Sequence, residues 1–347
     1  MKKLSHILII GPAPQNIGGI SMHIRRLIGL LRKEYDFDFV DEGHKRWSGV
    51  FNLRTLNLIK YLGKVFNADI VHIHSGHFLL RLFHVIICRI LMRKCTVVTV
   101  HRDPNVEGRV SITRWFLKHC NKVIVVNDNG YKALVVNGCK CQYQMIPAYL
   151  PPRLDDEPIL PKEITDKISE IRKDTSGILM VSNAWKLVRH NDQDLYGLDN
   201  CIDAMVKLTA DKKHYYLIFV IADNTDAGAY LKQYREIIAK NKLERNVVIW
   251  ESPLSFVRLA LESDIVLRTT NTDGDAISIR EALDLGKKVI ASDVVKRPDG
   301  VLLYKTRDVD DLVATIKKSE NNDKLARKCQ IDYRQIYLSI YNKNNNN

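Results

Sequence analysis

Several patterns that would define other protein classes are missing from this chain of 347 residues. Its seven cysteines form no Cys-x-x-Cys pair, and Cys139 and Cys141 have no partners at zinc-ligand spacing, which indicates free thiols in a reducing compartment. The first apolar stretch, 7–10, is too short for a signal peptide, and the longest, 78–92, contains two arginines and cannot span a bilayer. We therefore expect a cytoplasmic protein whose membrane contact, at the inner face of the cell membrane, is peripheral.

Acidic residues are scarce in the first half of the chain. Residues 1–150 contain 22 Lys and Arg against 9 Asp and Glu, whereas the remainder contains 31 of each kind, so the first half carries the whole net charge of +13. This asymmetry indicates an anionic partner, which could be a nucleic acid, a membrane surface or a phosphorylated acceptor. The alternative is a basic face that serves solubility alone.

Hydrophobic periodicity predicts two α/β domains, in agreement with a length that exceeds one ordinary core. In the first domain, 1–150, short apolar strands alternate with helical patterns, which is typical of a doubly wound parallel sheet. Its predicted strands are 7–10, 70–73, 96–100 and 123–126. Its predicted helices are 19–32, 78–93, 110–119 and 130–137.

The same alternation begins again in a second domain, 162–323. Its predicted strands are 178–181, 217–222, 247–250, 265–267 and 289–291. Its predicted helices are 200–210, 229–240, 255–262 and 277–285. The segment 147–161 between the domains holds five prolines, which exclude regular structure and indicate a linker. We expect a cleft between the domains as the ligand site, and a last helix, 324–341, that packs back on the first domain.

The segment from Asp273 to Glu281 carries the strongest chemical signal. It places two acids eight positions apart, around a glycine turn and the start of a helix that is predicted to end at Gly286. Free N–H groups at a helix start bind phosphate, and a carboxylate accepts hydrogen bonds from two hydroxyls. This combination suits a phosphate with a polyhydroxylated sugar beside it.

A second candidate for anion binding is the pair Gly18 and Gly19, which ends the loop after the first predicted strand and precedes a helix. Gly11 lies too far from this pair for the dinucleotide pattern Gly-x-Gly-x-x-Gly. A glycine pair before a helix is also a common structural turn. Its place at the end of the first strand, facing the expected cleft, favours ligand binding.

Four segments together resemble glycosyltransferase family 4, whose members are retaining enzymes with the GT-B fold. They are the loop ending in Gly18 and Gly19, the segment 69–75, the strand 97–101 and the acid pair of 273–281, and they occur in this order over nearly the whole chain. The resemblance implies two Rossmann-like domains, of which the first binds the acceptor and the second binds a nucleotide-sugar donor.

The resemblance also implies roles for the acid pair. Asp273 would lie against the donor sugar, and Glu281 would hold the ribose hydroxyls of the nucleotide. The backbone N–H groups between them would face the diphosphate. Those residues are Gly274, Asp275, Ala276 and Ile277.

Two alternatives apply to the same segment. Ser278 and Glu281 have the spacing of a capping box, in which the Glu281 carboxylate would accept the Ser278 N–H. Asp273 and Asp275 match the Asp-x-Asp signature that binds Mn²⁺ or Mg²⁺ in the other major glycosyltransferase fold. Because this motif occurs late, before a helix with the second acid, we predict no metal and no other cofactor. Asp275 would then be a turn or N-cap residue.

Histidines at strand ends are further candidates. His101 ends a predicted strand, and the resemblance places it at the donor sugar hydroxyls or the reaction centre. A single histidine at a strand end is also commonly a satisfied structural residue. His72 and His74 alternate along another strand, where we expect core and rim positions with His74 nearer to the cleft.

The sequence departs from the family at a basic pair that stabilises the leaving diphosphate. Ser182-Asn183 stands where members have Gly-Arg, and Tyr196 stands where they have Lys before Gly-Leu-Asp. Lys186 or Arg189 in the extended loop, or Arg268 at a strand end, could supply the charge. Lys186 and Arg189 could equally be ordinary solvated charges.

Basic and apolar residues are interleaved between positions 51 and 94. Most of this apolar surface is expected in the domain core. A basic acceptor domain would nevertheless suit a lipid-linked, phosphorylated acceptor at an anionic membrane. The basic residues are Arg54, Lys60, Lys64, Arg81, Arg89, Arg93 and Lys94.

We therefore predict a retaining glycosyltransferase that moves a hexose or related sugar from a nucleotide-diphosphate sugar to a glycan acceptor. The acceptor is expected to be lipid-linked, in the synthesis of a cell-surface polysaccharide such as lipopolysaccharide O-antigen or capsule. One alternative is a nucleotide-sugar epimerase of the same fold, and another is a non-catalytic sugar-nucleotide binder, which the missing basic pair favours. A nucleic-acid binding protein would explain the charge, but no recognised module is present in the sequence, and we expect no nucleic-acid partner.

Overall fold

The structure is a computed structural model that describes residues 5–15, 18–135, 142–210, 214–225, 228–272, 276–320 and 331–342. The chain forms two compact units. Unit 1 comprises Met1–Arg153 with Ile331–Asn347, and unit 2 comprises Leu154–Gln330. The division between them falls inside the proline-rich segment 147–161.

Unit 1 is built on a seven-stranded parallel sheet. Its strands are β1 (Ser5–Gly11), β2 (Tyr35–Asp41), β3 (Phe51–Asn52), β4 (Ile70–Ile73), β5 (Cys95–Val100), β6 (Lys122–Val125) and β7 (Tyr143–Met145). The order across the sheet is β3-β2-β1-β4-β5-β6-β7. The order in which successive strands are added to the sheet therefore reverses between β1 and β4. Open α/β sheets bind ligands at such a switch point.

Helices cover both faces of this sheet. They are α1 (Gly19–Leu31), α2 (Leu58–Asn67), α3 (Phe78–Val85), α4 (Val110–Leu117), α5 (Asp128–Leu134) and the C-terminal helix (Tyr333–Tyr341). A π-helical turn, Ile86–Leu91, continues α3. Because side chains alternate along a strand, Leu8 of β1 packs with α2 and α3, whereas Ile7 packs with α1 and the C-terminal helix.

Unit 2 repeats this plan with a six-stranded parallel sheet. Its strands are β8 (Ile178–Lys186), β11 (Tyr215–Asp223), β12 (Val247–Trp250), β13 (Ile265–Arg268), β14 (Lys288–Ser292) and β15 (Val301–Tyr304), in the order β12-β11-β8-β13-β14-β15. Two short strands, β9 (Arg189–His190) and β10 (Gln193–Asp194), form a separate antiparallel hairpin. The switch point of unit 2 lies between β8 and β13.

The helices of unit 2 pack on both faces of its sheet. They are α6 (Lys162–Ile171), α7 (Leu198–Thr209), α8 (Gly228–Lys240), α9 (Phe256–Glu262), α10 (Ile277–Asp284) and α11 (Val309–Glu320). Along β8, Met180 and Ala184 join one core cluster, and Leu179 and Val181 join the other. This alternation explains why the strand is almost continuously apolar, since both of its faces are buried.

The predicted α/β class and two doubly wound sheets are confirmed, and each predicted strand and helix has a counterpart in the described residues. Several elements were not predicted, namely β2, β3, β7, β9, β10, β15, α2, α6 and α11, and Arg189, predicted in an extended loop, belongs to β9. The segment 147–161 contains a short 3₁₀ turn, Leu154–Asp156, so the expectation of no regular structure was wrong there. Of the predicted last helix, 324–330 lies outside the described residues, as do the terminal residues 343–347 and the cysteines Cys139, Cys141 and Cys329.

Candidate active site

The carboxyl edge of the unit 2 sheet brings together several of the predicted donor-site residues. Strands β8 and β13 are neighbours and end at Lys186 and Arg268, and α10 begins at Ile277 after β13. Parallel strands end at the same edge, so these three chain segments meet at the switch point. Asp273, Gly274 and Asp275, which connect β13 to α10, lie outside the described residues.

The N-terminus of α10 has no side-chain cap of its own. Its N-cap is Ala276, whose side chain has no acceptor, and Ile277 is the first helical residue. The alternative capping box is therefore wrong, because Ser278 is the second helical residue and not the N-cap. Because Ala276 is the N-cap, the alternative of Asp275 as N-cap is wrong, and its alternative as a turn residue lies outside the described residues. The backbone N–H groups of the first turn and the helix dipole make the start of α10 suited to an anion.

Glu281 lies one turn into α10 and is 6% exposed. It is four residues after Ile277, so both side chains lie on the same side of the helix. Helical Cα–Cβ bonds tilt toward the N-terminus, which directs a side chain at this position toward the first turn. A carboxylate here is therefore well placed for the predicted ribose role. The C-terminal end of the helix is as predicted, with Gly286 in the left-handed region at φ 70° and β14 following directly.

The three candidate cations occupy different environments. Lys186 ends β8 opposite Asp223 of β11, so its prediction as a loop residue was wrong. Arg189 belongs to β9, where its guanidinium lies 5.3 Å from the Tyr230 ring centre. Arg268 ends β13 directly at the switch point, as predicted for a strand end. Of the three, Arg268 is therefore the one that lies where the segment between β13 and α10 begins.

Arg268 also lies beside Tyr196, which occupies a position where the resembling family has a lysine. Its guanidinium lies 5.3 Å from the ring centre of Tyr196, the residue that replaces the family's lysine. Its Nη1 lies 3.5 Å from the carbonyl oxygen of Asn183, which occupies the other altered position. One arginine thus places its charge near both sites where the sequence departs from the family.

Arg297 is a further candidate that sequence reasoning missed. It lies between β14 and β15 and is only 8% exposed. Its guanidinium donates to the Ser292 carbonyl at 3.1 Å and to the hydroxyls of Ser292 and Thr270 at 3.2 and 3.3 Å. This buried cation is therefore held at the carboxyl edge of β13 and β14. No sequence motif surrounds it, so only the fold could reveal it.

The turn before α7 is locked onto the end of β13. The Asp194 carboxylate accepts the Tyr196 and Gly197 N–H groups at 2.8 and 3.1 Å, and burial raises the pKa of Asp194 above its usual value. The Thr269 hydroxyl donates to the Tyr196 carbonyl at 2.9 Å. Gly197 adopts φ 74°, and an added Cβ would lie 2.1 Å from the Thr269 carbonyl oxygen.

Replacing Gly197 by alanine is therefore expected to destabilise unit 2 by about 2–4 kcal/mol, because both the backbone angle and the contact disfavour a Cβ. Denaturant unfolding measured for the variant and the wild type would show this loss. Gly228→Ala is the matched control, since an added Cβ at Gly228 would meet nothing within 4 Å. Equal stability of the two variants would contradict the assigned role of Gly197.

In unit 1, the glycine pair lies at the switch point of its own sheet. Gly18 is the N-cap of α1 and Gly19 its first residue, and a Cβ added to either would meet nothing within 4 Å. No packing contact therefore requires glycine here. The surrounding space leaves the helix start accessible to a ligand, although residues 16–17 of the loop lie outside the described part.

Four histidines cluster near the same switch point. His101 follows β5 and is partly exposed, and its Nε2 lies 3.1 Å from Nδ1 of the fully buried His74. His23 of α1 bonds the Ala148 carbonyl, and its ring centre lies 5.1 Å from that of His101. His72 bonds Thr99 and Tyr341, which confirms its core position. The rim position predicted for His74 was wrong.

Burial keeps these imidazoles uncharged. It lowers the pKa of His72, His74 and His101 well below the usual range and that of His23 to about 4. His101 thus has a hydrogen-bond partner in His74, as expected of a structural histidine, and its side chain is also partly exposed. Nε2 of His74 is buried and has no hydrogen-bond partner among the described residues.

Ligand atoms of His23, His74 and His101 all lie within 4.8 Å of one another, so the described residues contain a group that could hold a metal ion. Nδ1 of His74 and Nε2 of His101 are engaged in a hydrogen bond with each other, whereas Nε2 of His74 has no partner among the described residues. Metal-free chemistry stays a prediction, and the chelator experiment below tests it.

The comparison with known families concerns mainly unit 2. Residues 187–335 match the family model of the glycosyl transferases group 1. This part of the chain is thus similar to glycosyltransferases. The matched range includes the acid pair, Arg268 and Arg297. No curated protein sequence matches the chain significantly.

Solved structures extend the similarity to nearly the whole chain. A glycosyltransferase from Rickettsia africae is 17% identical, with a TM-score of 0.62, over 99% of this chain and 95% of its own. HepE from Anabaena, solved in complex with UDP, is 16% identical, with a TM-score of 0.61, over 92% and 91%. Sucrose-phosphate synthase from Thermosynechococcus elongatus is 16% identical, with a TM-score of 0.58, over 97% and 95%. The chain therefore has the GT-B fold with two Rossmann-like units.

Proposed function

We propose that this glycosyltransferase transfers a hexose or related sugar, with retention, from a nucleotide-diphosphate sugar to a glycan acceptor. The observation that carries the proposal is the start of α10, where Ala276 leaves the helix without a side-chain cap and the buried Glu281 follows one turn later. A free helix start binds the diphosphate, and a carboxylate beside it accepts the ribose hydroxyls. Asp273 would lie against the sugar.

Two arginines support binding of the diphosphate in place of the family's basic pair. Arg268 lies beside Tyr196 and Asn183, at both altered positions, and Arg297 is held at the neighbouring strand edge. Their charges would stabilise the leaving diphosphate without a bound metal ion. The UDP complex of HepE supports a nucleotide diphosphate as the leaving group.

Unit 1 would supply the acceptor side and the sugar contacts of His101. Retention without an enzymic nucleophile suggests attack on the same face of the sugar, assisted by the leaving phosphate. Burial lowers the pKa of His101, so its imidazole would be neutral and could exchange hydrogen bonds with sugar hydroxyls. Gly18 and Gly19 would let the backbone approach the donor phosphates.

We further propose that the acceptor is a lipid-linked glycan in the synthesis of a cell-surface polysaccharide, such as lipopolysaccharide O-antigen or capsule. The support is the basic first half of the chain, with 22 Lys and Arg against 9 acids in residues 1–150. Such a surface favours a phosphorylated carrier in an anionic membrane. The enzyme would act at the cytoplasmic face of that membrane.

The test is a screen of nucleotide sugars for binding, and for release of nucleoside diphosphate with an acceptor extract, each with and without EDTA. We expect at least one donor to bind and to be consumed equally in both conditions. Loss of activity with EDTA would support the Asp-x-Asp or histidine metal site instead. Conversion of the donor to an epimer without acceptor would identify an epimerase. Binding without any turnover would identify a non-catalytic sugar-nucleotide binding protein.

A further inference from the structure

Helix α2 exposes an apolar side to solvent. Its exposed large apolar residues are Leu58, Ile59, Leu62 and Phe66. The fractions exposed at Ile59 and Phe66 are 86% and 70%, whereas Tyr61 and Val65 on the inner side are buried. Large apolar residues thus occur on both the inner and the outer side of the helix, and those on the outer side form an exposed apolar surface.

The neighbouring helix extends this exposed side. The Tyr61 hydroxyl of α2 lies 2.7 Å from Nδ1 of His84 in α3, and the Tyr61 and Phe83 rings are 5.8 Å apart, so the two helices form one layer on the sheet. Leu79 of α3 and Ile90 of the π-helical turn are 55% and 40% exposed. We define the apolar outer face of this layer as Leu58, Ile59, Leu62, Phe66, Leu79 and Ile90.

Positive charge surrounds the apolar outer face. Residues 43–102 contain ten Lys and Arg and a single acid, Asp69. Lys60 of α2, Arg54 before α2 and Arg93 after the π-helical turn are exposed. Two of the ten are paired with acids outside this stretch, Lys64 with Asp38 and the buried Arg81 with Glu107, and the others leave a surplus of positive charge.

Two further lysines hold α2 in place. Lys64 pairs with Asp38 of β2 at 2.5 Å, and Lys94 donates to the Ala68 carbonyl at 3.0 Å, just past the last residue of the helix. The position of α2 is thus fixed by its inner contacts and its ends. Of the outer residues, Phe66 takes part in this attachment, because the Lys94 ammonium lies 5.3 Å from its ring centre.

We infer that the apolar outer face docks on an anionic lipid bilayer. An amphipathic helix lies in the plane of the interface, with apolar side chains among the acyl chains and lysine and arginine at the headgroups. The surplus of positive charge is complementary to anionic lipid and disfavours docking of a second, equally basic copy of unit 1. No helix in the described residues is long and apolar enough to cross a membrane, so the contact is interfacial.

Docking of this face on a bilayer would place the proposed transfer reaction at the membrane surface. The inference rests on the proposed function only in assuming that the acceptor is lipid-linked. A bilayer that holds unit 1 through α2 and α3 would confine the enzyme to the surface where such an acceptor is found. The binding itself requires no catalysis. Membrane binding and donor turnover can therefore fail separately.

The test is sedimentation of the full chain with vesicles of phosphatidylcholine containing 30% phosphatidylglycerol, a composition we choose for its anionic charge of roughly the level found in bacterial membranes. We expect binding that weakens with added salt and is much weaker on phosphatidylcholine alone. The double variant Ile59→Ser, Phe66→Ser should bind about tenfold or more weakly. Lys60→Gln with Arg93→Asn should lose roughly fivefold per residue.

The matched controls lie in unit 2. Ile159→Ser removes an apolar side chain that is 83% exposed, and Lys240→Gln removes an exposed charge, so both should bind as the wild type does. Equal binding by the Ile59 and Phe66 variant would overturn the inference. So would a wild-type dimer in light scattering that this variant converts to a monomer, since a second copy would then cover the face. Donor binding without vesicles tests the proposed function separately.

Discussion

Replacing Glu281 by glutamine is expected to weaken binding of the nucleotide-sugar donor about 10- to 100-fold, since a charge-assisted hydrogen bond to a ribose hydroxyl contributes roughly 1.5–3 kcal/mol. Glutamine has nearly the same shape but only one acceptor oxygen, so it replaces the carboxylate poorly. Calorimetric titration with the donor found in the screen would measure the change. Asp273→Asn should instead lower turnover more than it lowers affinity for the free nucleoside diphosphate.

The burial of Glu281 makes a stability control necessary. Glu236→Gln is the matched variant, because it makes the same exchange at an exposed glutamate of the same unit. The thermal unfolding midpoints of the two variants distinguish loss of a ligand contact from destabilisation of α10. A stable Glu281→Gln protein that binds donor as tightly as the wild type would remove the central residue of the proposed donor site.

Lowering the pH from 7.5 to 5 is expected to destabilise unit 1 strongly. The histidines His23, His72, His74 and His101 are neutral in the folded state, because burial lowers their pKa values, and they regain an ordinary pKa on unfolding. The unfolded chain therefore binds more protons below its histidine pKa of about 6.5, and stability is lost as the pH falls through that value. For His23, with a folded pKa of about 4, the loss at pH 5 is roughly 2 kcal/mol.

Nearby charges act in the same direction as burial. Arg26 further lowers the pKa of His23, and Arg81 that of His101. Hydrogen exchange of the β4 and β5 peptides, read by mass spectrometry at both pH values, would locate the effect in unit 1. His23→Gln should reduce the pH dependence, whereas His190→Gln, at an exposed position of unit 2, should leave it unchanged. Equal protection of β4 and β5 at pH 5 and 7.5 would contradict this assignment.

Elements defined by local chemistry were predicted well from the sequence. The buried run in β1 could only be a strand, and Gly286 ends α10 because glycine accepts the left-handed angle at a helix end. The capping box at Ser278 and Glu281 failed for a related reason. Its spacing is correct, but spacing does not determine which residue begins the helix, and here Ile277 does so after the N-cap Ala276.

Contacts between distant segments were not predictable in this way. The position of His74 depends on helices that cover it, and its neighbour His72 bonds Tyr341, which is 269 residues away. The apolar residues of α2 were expected mainly in the core. Several are exposed instead, because the inner side of the helix already fills the space beside the sheet with Tyr61 and Val65.

The amino-acid sequence by itself determined two α/β units, a basic first half, and an acid pair at the start of a helix. These features follow from periodicity, composition and turn chemistry, which act between residues close in the chain. Only the tertiary structure decided that Arg268 lies over Tyr196, that Arg297 is buried at the same edge, and that a cluster of histidines is neutral. Desolvation and charge placement depend on which distant segments meet, and local sequence does not encode them.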